Sequence, residues 1–340
     1  MRNKNLFIGA FLIIPMFLWN CMRTSTGNDE NVNLGKSWTQ QVSGTTEALN
    51  SVTWADHQWV AVGSSGIILT SSDGATWTKQ ISGTENPLNS VIWTGPSTGS
   101  GPGQLVAVGS GGIVLTSPNG VVWTERNSGV SAILNSVIWT GPSTGSGTGL
   151  FVAVGWDGII LTSPDAITWT ERLPVLGRQD PVHGGSDGVL GGEDLYSVAW
   201  SGTRMIAVGY YGTVLTSQDG VTWMEQSSGI TNALSSLAWS GSQLVAVSNN
   251  GDILASPDGV TWASRGSFGV LNSITWNNRR FIAVGYEGTV LVSDDGVHWT
   301  NDSLAAKSVL YSVAGTSPST GSGTGKLVAV GYDGVIFTSP

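Results

Sequence analysis

Leu49-Asn50-Ser51-Val52-Thr53-Trp54 opens a stretch that runs on through Val60-Ala61-Val62-Gly63, Gly66-Ile67-Ile68-Leu69-Thr70-Ser71, the turn Ser72-Asp73-Gly74 and Thr76-Trp77-Thr78-Lys79. The opening phrase returns, with small changes, at Leu88, Leu134, Leu195, Leu234, Leu271 and Leu310, each time followed by a similar succession. Self-similarity at a period of about forty residues signals a repeat architecture, which settles the fold before any local reading does. Within the phrase, Asn50, Val52 and Trp54 alternate with Leu49, Ser51 and Thr53, and β-branched and aromatic residues are enriched, as in half-buried strands. Each unit therefore reads as four short strands, and no helical 3.6-residue pattern runs through it.

The third and fourth strands are joined by Ser71-Ser72-Asp73-Gly74, Ser117-Pro118-Asn119-Gly120, Ser163-Pro164-Asp165-Ala166, Ser217-Gln218-Asp219-Gly220, Ser256-Pro257-Asp258-Gly259 and Ser293-Asp294-Asp295-Gly296. Proline presets φ, Asp or Asn tolerates the bridge and left-handed regions, and glycine supplies positive φ without a Cβ clash. The seventh unit stops at Thr338-Ser339-Pro340, where its turn and fourth strand are due, and Ser37-Trp38-Thr39-Gln40 matches the missing strand. The expected fold is thus an all-β, seven-bladed β-propeller with four antiparallel strands per blade, its last blade closed by the N-terminal strand so that no long edge stays unpaired. Tryptophans such as Trp54 and Trp77 recur at fixed repeat positions and are expected to fill the wedges between blades. Gly315 stands where the seventh unit lacks the first-strand tryptophan, a predicted local thinning.

The Ser-x-Asp-Gly-x-Thr-Trp turn after a Gly-x-Ile-Leu-Thr-Ser strand resembles the Asp-box (BNR) repeat, with Asp73 and Gly74 adjacent where that repeat has one residue between them. The whole unit, over residues 37–340, is similar to the photosystem II assembly-factor propellers and their bacterial relatives. That resemblance implies a rigid scaffold for protein binding or assembly rather than an enzyme. Asp-box propellers also include sialidases, which implies an arginine triad and a Phe/Tyr-Arg-Ile-Pro motif. No such tetrapeptide is present, and the propeller arginines do not recur at one repeat position.

Ahead of the repeats, Arg2 and Lys4 precede the apolar run from Leu6 to Trp19, broken by Gly9 and Pro15, which reads as a signal peptide over residues 1–20. The run is too short for a spanning helix of about 20 apolar residues. Leu18-Trp19-Asn20-Cys21 resembles a bacterial lipobox, with Asn20 in place of the usual small residue. Cys21, the only cysteine, is accordingly a lipidation candidate, and residues 21–36 form a polar tether. The expected location is the cell envelope as a membrane-anchored lipoprotein, with Met22 after the cysteine pointing to the outer membrane; the alternative is a secreted or periplasmic protein.

The chain carries 23 acidic against 14 basic residues, a net charge of -9, and no cluster of Lys or Arg, which excludes a backbone grip on nucleic acid. His57, His183 and His298 are scattered, so no zinc site is expected, and no cofactor is implied. Candidate binding residues fall where the repeat varies most, at the pairs after Val-Gly: Trp156-Asp157, Tyr210-Tyr211, Asn249-Asn250, Tyr286-Glu287 and Tyr332-Asp333, with Ser64-Ser65 and Ser110-Gly111 at the same place. Aromatic rings and carboxylates there suit a peptide or a sugar, with Asp157, Glu287 and Asp333 also weighed for Ca²⁺. The long insert between the third and fourth units, with Arg178, Asp180, His183 and Asp187, falls on the same face as a candidate partner loop. The expected function is a lipid-tethered protein-binding or assembly module without catalysis; the alternative is a carbohydrate-binding or glycosidase-like propeller.

Overall fold

A computed structural model describes residues 38–95, 103–141, 149–172, 193–316 and 325–339. The leader, tether, Cys21 and the insert bearing Arg178, Asp180, His183 and Asp187 lie outside the described residues. The described residues form seven four-stranded sheets, each antiparallel and consecutive in sequence except the last. Blade 1 holds Leu49–Ala55, Gln58–Gly63, Ile68–Ser71 and Thr78–Gln80. Blades 2 to 6 begin at Leu88, Leu134, Leu195, Leu234 and Leu271. Blade 7 takes Leu310–Gly315, Leu327–Gly331 and Ile336–Ser339 from the C-terminal end and Thr39–Gln41 from the N-terminal end. Thr39 pairs with Thr338 and Gln41 with Ile336, as the expected closure requires. First strands of neighbouring blades contact one another all round the ring, so they line the axis.

The core is a set of wedges between blades. Val60 and Val62 of blade 1 pack with Leu88, Val91, Leu105 and Leu115 of blade 2, flanked by Trp93 and Trp123. Ala61, between the two valines, faces the other way, toward Val328 and Val330 of blade 7, and its small side chain leaves room for Trp54, Trp59 and Trp77. The Val-Ala-Val run thus encodes a valine face and a thin, ring-bearing alanine face. Trp38 fills the corresponding place in the wedge between blades 6 and 7.

In the first strands the expected strict alternation fails. All seven shift register at their second residue, so that Leu49 opposes Gly63 but Ser51 opposes Val62, and Leu49 and Val52, three apart, are the buried pair. This β-bulge turns Asn50 sideways. Its Nδ2 donates to Leu88 O of the next blade at 3.0 Å, and Asn89, Asn135, Ser235 and Asn272 make the same clasp to Leu134, Leu195, Leu271 and Leu310. The following serine adds a second ring: Ser51 Oγ accepts from Val91 N, and Ser90, Ser136, Ser197, Ser236 and Ser312 do the same for the blade that follows each. The Asn-Ser of the repeated phrase is the inter-blade fastening.

Each turn between third and fourth strands is closed by its own side chains. Asp73 Oδ1 accepts from Ala75 N and Thr76 N, both at 2.8 Å, and from Ser71 Oγ, while Gly74 N donates to Ser71 Oγ and Trp77 Nε1 to Gly74 O. The two backbone bonds, above all that from Thr76, hold the Asp73 carboxyl at about 2. At Gly315 a Cβ would meet Asn277 Cβ at 2.8 Å and Leu327 Cδ2 at 2.9 Å, so the buried Asn277 of blade 6 packs directly against the glycine.

Candidate functional site

The turn after each second strand lies on the same face as the connection between blades, because its first amide bonds the residue that precedes the first strand: Ser64 to Ala48, Trp156 to Ile133, Tyr286 to Val270 and Tyr332 to Val309. In six blades this turn is a single 3-10 turn. It demands glycine just before it, since a Cβ on Gly63 would lie 1.9 Å from Ala48 O. The second residue of the turn is left-handed, with φ 56° at Asp157, 53° at Tyr211, 52° at Glu287 and 56° at Asp333, a conformation that costs roughly 1–2 kcal/mol for a residue with a Cβ. This geometry pushes the first residue outward, and Trp156, Tyr210, Tyr286 and Tyr332 are all exposed, Tyr332 at 61%.

Blade 5 departs from the rule. Ser248 replaces the glycine, fully buried, and its hydroxyl accepts from Asp252 N at 2.8 Å and bonds Asp252 Oδ2, which also accepts from Asn232 Nδ2. Asn249 and Asn250 therefore sit exposed on a differently built turn. The expected pairs do share one face, but Asp157, Glu287 and Asp333 do not converge on a cation site: among the described residues no three His, Cys, Asp or Glu side chains are placed to hold a metal.

Two residues that sequence reasoning passed over complete the site. Blades 4 and 7 carry Tyr196 and Tyr311 where the other blades carry the clasping Asn or Ser. Both are half-buried at the axial end of this face. Burial first, then the proximity of Asp194, Tyr210 and Glu193, raises the phenol of Tyr196. Burial, then Tyr286 and Tyr332, raises that of Tyr311. Tyr311 lies near the exposed rings of blades 6 and 7, and Tyr196 near Tyr210, whose ring centroid is 6.3 Å from that of Tyr211. Asp194, adjoining Tyr196, accepts a 2.9 Å bond from Asp157 N and so ties the blade 3 turn with Trp156 to this group. The signal was a departure from the repeat at its second position.

The result is two aromatic groups at opposite sides of the axis, one over blades 3 and 4, the other over blades 6 and 7, with small residues Ser64, Ser65, Ser110 and Gly111 over blades 1 and 2. Such an arrangement offers stacking surfaces with adjacent hydrogen-bond acceptors. The opposite face is different. There the residue at or just ahead of the start of the second strand reaches the next blade's turn, as Gln58 Nε2 does to Asn119 O at 2.7 Å and Lys326 Nζ to Asp73 O, while Arg280 lies 3.1 Å from Asp294 and His298 Nδ1 2.7 Å from Asp295. Its shallow rim grooves, one lined by His57, Thr70, Ser72 and Pro118 and another by Arg280, Ser293, Asp295 and His298, form at the same repeat positions and are products of the repeat.

No family model matches the chain, and no curated protein matches it. Solved structures do. The chain is similar to YCF48 from Cyanidioschyzon merolae, at 18% identity over 89% of this chain and 98% of that one, with a TM-score of 0.63. A structure described as YCF48 bound to D1 peptide matches at 17% identity over 89% and 94%, with a TM-score of 0.63. The WD40 β-propeller domain of Doa1 matches at 13% identity over 90% and 97%, with a TM-score of 0.66. At these identities the likeness is one of fold.

Proposed function

We propose that the protein is an exported, lipid-anchored scaffold whose propeller binds another protein through the face carrying the Val-Gly turns. The observation that carries this reading is the confinement, among the described residues, of exposed aromatics to one face of an otherwise fastened ring, beside which the half-buried Tyr196 and Tyr311 take positions where the repeat has a structural clasp. A repeat that gives up a fastening for a ring at its axial opening is shaped by something other than folding. Support also comes from a propeller of like fold that is described as bound to a peptide. Anchoring rests on Leu18-Trp19-Asn20-Cys21, with release to the outer membrane from Met22. No catalytic role is assigned to any residue.

The second reading, carbohydrate binding, is favoured by the same rings and carboxylates. The two separate by experiment: co-isolation of a protein with the native chain, lost in the Tyr196→Asn/Tyr311→Asn variant, supports the scaffold, whereas glycan-array binding lost in Trp156→Ala and Tyr286→Ala supports the sugar. Anchoring is tested by intact mass and detergent partitioning against Cys21→Ser. Acyl mass lost with the cysteine is expected, and an unmodified, water-soluble wild type overturns it.

A further inference from the structure

The charge of the two faces differs in kind. On the face opposite the Val-Gly turns, Asp73, Asp165, Asp219, Asp258 and Asp295 are spent on their own turn amides, and Arg280, Lys326 and His298 are matched to acceptors. On the Val-Gly face several carboxylates stand near rings: Asp157, Glu193 and Asp194 near Trp156, Tyr196 and Tyr210, with Asp194 accepting from Asp157 N, and Glu287 and Asp333 adjoining Tyr286 and Tyr332 in the same turns. Among the described residues of its turns and connections, Lys307 is the only cation. A surface of open aromatic faces bordered by carboxylates attracts one class of group above others, a cation that stacks on a ring while its charge meets an acid.

Two aromatic groups across one axial opening set the shape of the occupant. A single cation engages one group; an extended segment with cations at both ends engages both. Resting on the scaffold reading above, we infer that the Val-Gly face docks an extended, Lys- or Arg-bearing peptide segment of its protein partner, laid across the axis between the Tyr196–Tyr210 and Tyr286–Tyr311–Tyr332 groups. The ring stacking sets position and the carboxylates set sign.

The repeat itself supplies a variant that keeps its fold. Tyr196→Asn and Tyr311→Asn place the residue that blades 1, 2, 3 and 6 already use at that bulge, so the double variant keeps the other fastenings and gains two clasps while losing both inner rings. A random library of displayed peptides is selected on the intact propeller and counter-selected on this double variant. The selected peptides are then measured by fluorescence anisotropy at low and high salt against the wild type, the double variant and Asp157→Asn/Glu287→Gln/Asp333→Asn. The inference predicts enrichment of Lys and Arg, affinity at least about tenfold weaker in either variant, and weakening with salt. Peptides that need the tyrosines but are neutral or acidic, and indifferent to salt and to the carboxylate changes, overturn the cationic occupant and leave protein docking standing. Absence of any peptide that distinguishes wild type from the double variant, with folding verified by circular dichroism, overturns the docking face itself.

Discussion

At the scale of the residue, one carboxylate does the work of a turn. Asp73, Asp165, Asp219, Asp258 and Asp295 each accept two backbone N–H bonds, and those bonds are the main cause of their depressed acidities. A carboxyl whose folded value lies below its unfolded one contributes stability that is complete above about pH 5 and is lost as pH falls through the folded value. The melting temperature is therefore expected to hold level from neutral pH to about 5 and to fall below about 4, toward the value of about 2 held by Asp73. Blade 2 shows that the charge is dispensable for the geometry, since Asn119 Oδ1 takes the same two bonds at 3.0 and 3.1 Å. Asp219→Asn is expected to fold, to melt near the wild type at pH 7 and to reduce the loss at acid pH. A calorimetric series from pH 7 to 2 checks both statements, and an unchanged acid slope in the variant would sink the assignment.

At the scale of the element, the first strand carries two messages in one phrase. Leu, Val and Trp specify a wedge, while Asn and Ser at and after the bulge specify the joint to the next blade. Asn272→Ala removes the 2.7 Å bond to Leu310 O and is expected to cost about 1 kcal/mol in urea unfolding. Tyr311→Asn, restoring the clasp that blade 7 lacks, is expected to leave stability at or above the wild-type value. A large loss there would show that the tyrosine is a packing residue. Period-two patterning found the strand but could not reveal this division, because a bulge shifts the pattern by one residue and the clasp's partner belongs to the next repeat. The same limit hid the packing at Gly315, whose close neighbour Asn277 lies in another blade. Legible from the start were the turn chemistry, where every partner is within a few residues, and the face shared by Trp156, Tyr210, Tyr286 and Tyr332, which the repeat order alone dictates. Tyr196 and Tyr311 were in plain view as departures from the phrase, but their import depended on knowing what the regular residue does.

At the scale of the molecule, the ring is closed by three residues from the far end of the chain. The strand contact is built like the others: Gln41 Nε2 donates to Thr338 Oγ1 at 2.9 Å as Gln80 Nε2 does to Thr70 Oγ1 at 2.8 Å, and Trp38 occupies its wedge as Trp77 does, without the Nε1 bond to a turn carbonyl that Trp77 makes. A closure equivalent to the internal joints predicts that Trp38→Ala costs as much as Trp77→Ala, on the order of 3 kcal/mol each. A terminal strand that frays would make the first substitution nearly silent in denaturant unfolding. Closure matters for function because a fastened ring holds its two aromatic groups at fixed separation, which lowers the ordering cost of binding an extended segment.

The reading of the Val-Gly face as the docking surface is met most directly by site-specific photo-crosslinking in the native cells, with a photoreactive phenylalanine placed at Tyr332 and, as the opposite-face control, at the exposed Val121. The account predicts a discrete protein adduct from position 332 and none from 121. An adduct from 121 alone, or a protein-free glycan adduct from 332, would contradict it.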